Sequence, residues 1–209
     1  LYEQDYNLIL AIKWRQLIHR STSLGLLNKG QYGSIPGSDA ISPTVIEELQ
    51  YEIGRASKIP LIHIDCDAMA CYVRIITPFA SIIERSQGLH RNVVSVNAKT
   101  LENVRLLLKT QLGISDKPIQ SSAATPIHGS GQGAGNSPGK WAVISSTLFD
   151  VYEKEAQGAF FQSPDGRLKT TILMIGFVDD TSSSINDFSA EQPHSPDKYI
   201  ELATKDAQR

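Results

Sequence analysis

Cysteine is scarce: Cys66 and Cys71 are the only two among 209 residues. One close pair supplies neither a disulfide framework nor the second Cys pair of a zinc site. Both thiols are expected to be reduced and mostly buried, in a protein of intracellular location, the nucleus included, and not secreted. Long hydrophobic runs are also missing. No stretch approaches the roughly 20 apolar residues of a membrane span, so no membrane partner is expected. The opening LYEQDYNLIL has no initiator Met, no basic n-region and no small-residue cleavage site. It reads as the interior of a longer protein. Nor is there an excess of positive charge: the formal net charge is -2 and the pI is near 6.2. A domain that grips nucleic acid unaided is normally strongly basic. Such a role here requires basic parts outside this stretch, or metal ions.

What is present suits a globular chain, with 41% hydrophobic and 20% charged residues and length for one good core and a small lobe. Leu8, Ile12, Trp14, Leu17 and Ile18 predict a helix with one apolar face. After the glycine-punctuated NKGQYGSIPGSDA, Ser42–Pro43 reads as a cap and first turn, with Val45, Ile46, Leu49 and Ile53 inward. LIHID after Pro60 predicts a strand ending in Asp65 and Asp67. Leu101, Val104, Leu108 and Leu112 suggest another helix, stopped at Gly113. Ser137–Pro138 opens a helix expected to bury Trp141, Ile144, Leu148 and Val151. SPDG then turns into TTILMIGFV, with Ser183 to Ile185 a returning strand. Residues 187–195 read as loop, and Ser195–Pro196 as the start of a last helix. The alternation predicts an α+β fold.

TTILMIGFV ends in Asp179–Asp180. Adjacent carboxylates repel and resist desolvation, so they mark either a polar turn or a cation site. Asp65 and Asp67 end the other strand. Were both strand ends to share one sheet edge, hard divalent cations such as Mg²⁺ or Mn²⁺ would justify the cluster. Two such ions about 3.5 to 4 Å apart activate a 3′-hydroxyl and stabilise leaving pyrophosphate. GSGQGA at 129–134 is a poor dinucleotide fingerprint, because no convincing strand precedes it and Pro138 delays the helix. A Walker A loop fails because Ala134 stands at its first glycine and Trp141 where Ser or Thr is needed. The segment is either a surface loop capping a core helix or a place where backbone approaches a nucleotide, with Gln132 as donor and acceptor.

Three ordered blocks carry a resemblance to the reverse transcriptase domain of non-long-terminal-repeat retroelements. IDCDAMACYVRI resembles the family's first palm block, often DATACYDRI; HGSGQGAGNSPGKWAV resembles its Gln-Gly-x-x-x-Ser-Pro block; and GFVDDTSS resembles its hydrophobic-x-Asp-Asp box. QYGSIPGSDA is similar to the fingers segment that precedes the palm. The resemblance implies a right-hand polymerase palm with partial fingers, truncated before the thumb. Residues 1–60 would be partial fingers and 61–209 a palm incomplete at its C-terminus. It implies RNA-directed DNA synthesis by two-metal nucleotidyl transfer, with Asp67, Asp179 and Asp180 as metal ligands for Mg²⁺ (or Mn²⁺). Tyr72 would pack under the incoming sugar and disfavour a 2′-hydroxyl, and Gln132 and Gly133 would line the nascent-pair pocket. Asp65 would be a supporting acid, since an aromatic at the same offset falls on Ala70. Partners would be an RNA template, a DNA or RNA primer and deoxynucleoside triphosphates, with the thumb and other domains of a longer polyprotein.

This chain also departs from the family. CYDR reads Cys71-Tyr72-Val73-Arg74, and Pro-Gly-Arg-Ser reads Pro36-Gly37-Ser38-Asp39. A carboxylate and a phosphate-neutralising arginine are lost. Two further readings therefore stand beside polymerase activity. One is a catalytically inactive retroelement remnant or nucleic-acid-binding accessory domain. The other is an unrelated α+β phosphotransferase, which would not place Asp67 on a central strand beside the Asp179–Asp180 hairpin.

Overall fold

In a computed structural model of the chain, residues 4–122, 126–131, 133–186 and 195–207 are described. The elements run α1 (Gln4–Ser23), α2 (Ile41–Ser57), β1 (Leu61–Asp67), α3 (Cys71–Arg74), α4 (Thr77–Ser86) and α5 (Arg91–Glu102). Four two-residue strands follow: β2 (Arg105–Leu106), β3 (Lys109–Thr110), β4 (Gly113–Ile114) and β5 (Ile119–Gln120). Then come α6 (Ser137–Tyr152), β6 (Ala159–Gln162), β7 (Lys169–Ile172), β8 (Met174–Phe177), β9 (Asp180–Asn186) and α7 (Pro196–Ala207). The fold is mixed α+β with small open sheets. The chain divides into two compact units, each built from two stretches: Leu1–Leu17 with Ala70–Val143, and Ile18–Met69 with Ile144–Arg209.

The second of these units carries a three-stranded antiparallel sheet in the order β1-β9-β8. TTILMIGFV is interrupted at Leu173, so β7 pairs with β6 while β8 pairs with β9. Helix α2 covers one sheet face, where Ser182 Oγ donates to Glu47 Oε1 and the Tyr51 ring meets His63 edge-on. On the other face a Cβ at Gly176 would meet the Phe149 ring at 2.5 Å, so glycine lets α6 approach. Residues 28–33 run beside β8. Tyr32 N donates to Gly176 O, and Gly176 N to Gly30 O, both at 2.8 Å.

The other unit buries Leu10, Trp14 and Leu17 of α1 with Ala80 and Ile83 of α4 and Val94 and Leu101 of α5. Its centre holds a buried ion pair. Lys140 Nζ lies 3.4 Å from Glu84 Oε1, which also accepts from Trp14 Nε1 at 3.1 Å.

Several expectations change. Helix α1 forms, but Leu8 and Ile12 are exposed and Leu10 is buried in their place. Helix α2 starts at Ile41, and its cap acceptor is Asp39, whose Oδ1 takes the Ser42 amide at 2.8 Å and hydroxyl at 2.9 Å. Those bonds, the amide foremost, hold the Asp39 carboxyl below its usual range. Val45, Leu49 and Ile53 face outward, while Pro43, Gln50 and Gly54 are buried. The supposed helix through Leu112 is two nested ribbons, β2 with β5 and β3 with β4, and Leu112 is fully exposed at a turn. In α6, Ile144 is buried as expected, but Phe149 takes the inward place of Leu148 and Val151. Cys66 is exposed and only Cys71 buried. The loop expected at 187–195 lies mostly outside the described residues. No helix among the described residues is long and apolar enough to cross a membrane.

Candidate cation and nucleic-acid site

Strand β1 earns its place by alternation: Ile62 and Ile64 face one way, and His63, Asp65 and Asp67 the other. Its register against β9 sets Asp67 opposite Asp180 and Asp65 opposite Ser182. Ala68 N donates to Asp179 O at 2.9 Å. That bond makes Asp67/Asp180 a non-hydrogen-bonded pair, the type whose side chains stand closer. Like charges directly opposite destabilise a sheet. The two exposed acids therefore oppose folding by themselves.

Phe177 pairs with Asp180, leaving Val178 and Asp179 as a two-residue loop. Val178 has φ +58. Such a hairpin position favours glycine, and a β-branched residue there carries strain on the order of 1–3 kcal/mol. The expectation that Asp67 lies on a central strand is corrected: among the described residues β9 is central and β1 an edge of this sheet. Asp67 still reaches the hairpin, because β1 pairs with its returning strand.

The acids open onto a cleft of about 510 Å³, lined by Thr44 and Glu47 of α2, by Asp65, Asp67 and Asp180, and by Ser182. Cys66 also lines it; the other side-chain donors are oxygens, the type that Mg²⁺ and Mn²⁺ take. Among the described residues, however, no group of three or more His, Cys, Asp or Glu is gathered closely enough to hold a metal ion. Asp65 is held by His63 Nε2 at 3.0 Å, and His63 Nδ1 shares a 2.8 Å hydrogen bond with Ser184 Oγ. Ser184 is only 2% exposed, so this Ser–His–Asp chain offers no accessible nucleophile and orients Asp65.

In the other unit, the first and second blocks meet through backbone. Ser130 N donates to Tyr72 O, and Gly129 N to Ile75 O, both at 2.8 Å. A Cβ on Gly129 would lie 2.4 Å from Val73 O, which explains that glycine. Tyr72 is half-buried. Gly133 is exposed at φ +87 with open space beside it, while Gln132 lies outside the described residues. Sequence reasoning missed Glu47, His63 and the Glu84–Lys140 pair. Only Glu84 and Lys140 left a trace, as charges inside apolar helical runs.

No protein-family model matches the chain, and no curated protein matches it in sequence. Solved structures do resemble it. One is telomerase from Candida albicans in complex with the TWJ fragment of telomeric RNA: TM-score 0.56, 13% identity, covering 94% of this chain and 31% of that one. Another is apo telomerase from Candida tropicalis truncated from its C-terminal domain: TM-score 0.53, 13% identity, covering 96% and 36%. At this identity the likeness is one of fold. The chain spans about a third of the length of these telomerase chains.

Proposed function

We propose that the chain is a nucleic-acid-binding domain of reverse-transcriptase descent, residues 1–60 contributing part of the fingers and 61–209 the palm. The carrying observation is the likeness in fold to part of a telomerase chain, one example of which was solved with telomeric RNA. Its partner would be an RNA–DNA primer–template. With net charge -2, few phosphates can be neutralised, so binding is expected to be weak. The test is fluorescence anisotropy of a labelled primer–template over a salt series. Saturable binding at low salt is expected, with log Kd rising by about one unit of slope per neutralised phosphate and a total slope of about 2 to 4. No saturable binding at low salt overturns the reading.

A second reading, RNA-directed DNA synthesis, is favoured by the Asp67–Asp180 opposition. Asp67 and Asp180, with neighbouring Asp179, would hold Mg²⁺ or Mn²⁺, which supplies a more acidic primer 3′-hydroxyl and neutralises phosphate charge. Tyr72 would exclude the 2′-hydroxyl, and Gln132 and Gly133 would flank the nascent pair formed from a deoxynucleoside triphosphate. These residues alone are expected to extend a primer negligibly. Grafting on a C-terminal thumb restores binding first, and extension then requires Asp67. Extension by the graft that survives Asp67→Asn contradicts this second reading.

A further inference from the structure

The Asp179–Asp180 turn rests on residues that belong to neither strand of its hairpin. Gly33 is buried, and a Cβ there would lie 2.3 Å from Val178 N and 3.0 Å from Val178 Cα. Those atoms are backbone, so no rotamer change relieves the clash. Gly33 itself is fixed by its neighbours. Its amide donates to Gln31 Oε1 at 2.7 Å, and Gln31 Nε2 donates to Ser145 Oγ on α6. Further back, Asn28 Nδ2 donates to Asp150 Oδ1 at 2.9 Å and Asn28 Oδ1 accepts from Gly30 N at 2.7 Å. The segment is thus anchored to α6 at two points and bonded along β8, and it ends against the one loop residue of the hairpin held at positive φ.

We infer that Gly33 is a positioning residue for Asp179 and Asp180. Its backbone, anchored through Gln31 to α6, braces Val178 in its left-handed conformation and so sets where the two carboxylates stand relative to Asp67. The effect on cation binding rests on the cation reading above. The brace itself does not.

The experiment compares Gln31→Ala, Gly33→Ala, Val178→Gly and the double variant of the last two with the parent chain, by amide hydrogen exchange and by EPR titration with Mn²⁺ alone. Ala68 N reports turn position directly, because it donates to Asp179 O. Gly33→Ala is expected to speed Ala68 exchange about tenfold or more, leaving Ile62 and Ile185 at the far end of the ladder within about twofold. It also weakens Mn²⁺ binding by a comparable factor. Val178→Gly raises the Tm, since glycine takes the turn without strain, but it does not restore Ala68 protection in the double variant, because the Cβ at residue 33 still meets the backbone N and Cα of residue 178. Unchanged Ala68 exchange in Gly33→Ala overturns the inference, as does an equal acceleration along the whole ladder. A Gly33→Ala chain that fails to fold leaves Gln31→Ala to decide, because the brace requires that loss of the Gln31 anchor speed Ala68 exchange while Ile62 and Ile185 keep theirs. A parent chain that binds no Mn²⁺ sinks the cation reading, while Ala68 exchange still decides the brace.

Discussion

Asp67 stands directly opposite Asp180 across β1 and β9, and the amide next to Asp67 bonds the carbonyl next to Asp180 at 2.9 Å. Facing carboxylates oppose folding until charge is removed or neutralised. Asp67→Asn is therefore expected to stabilise the metal-free chain by about 0.2–1 kcal/mol, seen as a higher Tm. The parent is expected to gain Tm in Mg²⁺, and the same variant to lose that gain. An Asp67→Asn chain that is less stable without metal, or still stabilised by Mg²⁺, contradicts a cation-dependent pair.

The buried pair in the other unit predicts opposed pH slopes. Burial pushes the Glu84 carboxyl up, against Lys140 and the Trp14 bond, and pushes Lys140 down, against Glu84. A raised carboxyl binds more protons folded than unfolded, so its contribution is full below the unfolded value and lost as pH rises through the folded one. A depressed lysine contributes fully above its unfolded value and loses that contribution as pH falls through its folded one. Lys140→Met, which leaves Glu84 alone, is expected to lose stability as pH rises above the carboxylate range. Glu84→Gln is expected to lose it as pH falls from the alkaline side. Each costs about 3–5 kcal/mol where the orphan is charged. Urea unfolding across pH checks this, and parallel slopes contradict it.

How far the sequence reveals the fold depends on where the deciding forces lie. LIHID, the acidic hairpin and the helix after Ser137–Pro138 were legible because alternation, turn chemistry and a proline-marked start act locally. Leu101 to Leu112 misled because its apolar spacing imitates a helix, although Gly113 adopts φ +135 and turns a ribbon. Val45, Leu49 and Ile53 misled for a tertiary reason. Helix α2 turns Pro43, Gln50 and Gly54 inward instead, and a Cβ at Gly54 would stand in ordinary contact, 3.5 Å from Ile59 O and 3.6 Å from Leu61. The three aspartates could be named from block resemblance, whereas the Gly33–Val178 contact joins distant segments that no local pattern links.

Tyr72 carries a prediction about sugar choice. Its carbonyl is bonded by the glycine loop, which holds the first two blocks in register. In a chain completed with a thumb, Tyr72→Ala is expected to raise the ratio of ribonucleotide to deoxynucleotide incorporation while leaving duplex affinity unchanged. An unchanged ratio in a folded, active protein assigns the ring to packing.

Local radical cleavage shows whether a bound primer–template meets the cation proposed at Asp67, Asp179 and Asp180. Fe²⁺ replaces Mg²⁺ in the complex with end-labelled primer–template, and peroxide with ascorbate generates short-lived hydroxyl radicals at bound iron. Polypeptide cuts are expected to cluster around Ala68 and around Val178 to Thr181. Primer cuts are expected only in the few nucleotides nearest the 3′ end, with both sets lost in Asp67→Asn. Cuts spread evenly along protein and primer, or unaffected by Asp67→Asn, would contradict that cation site.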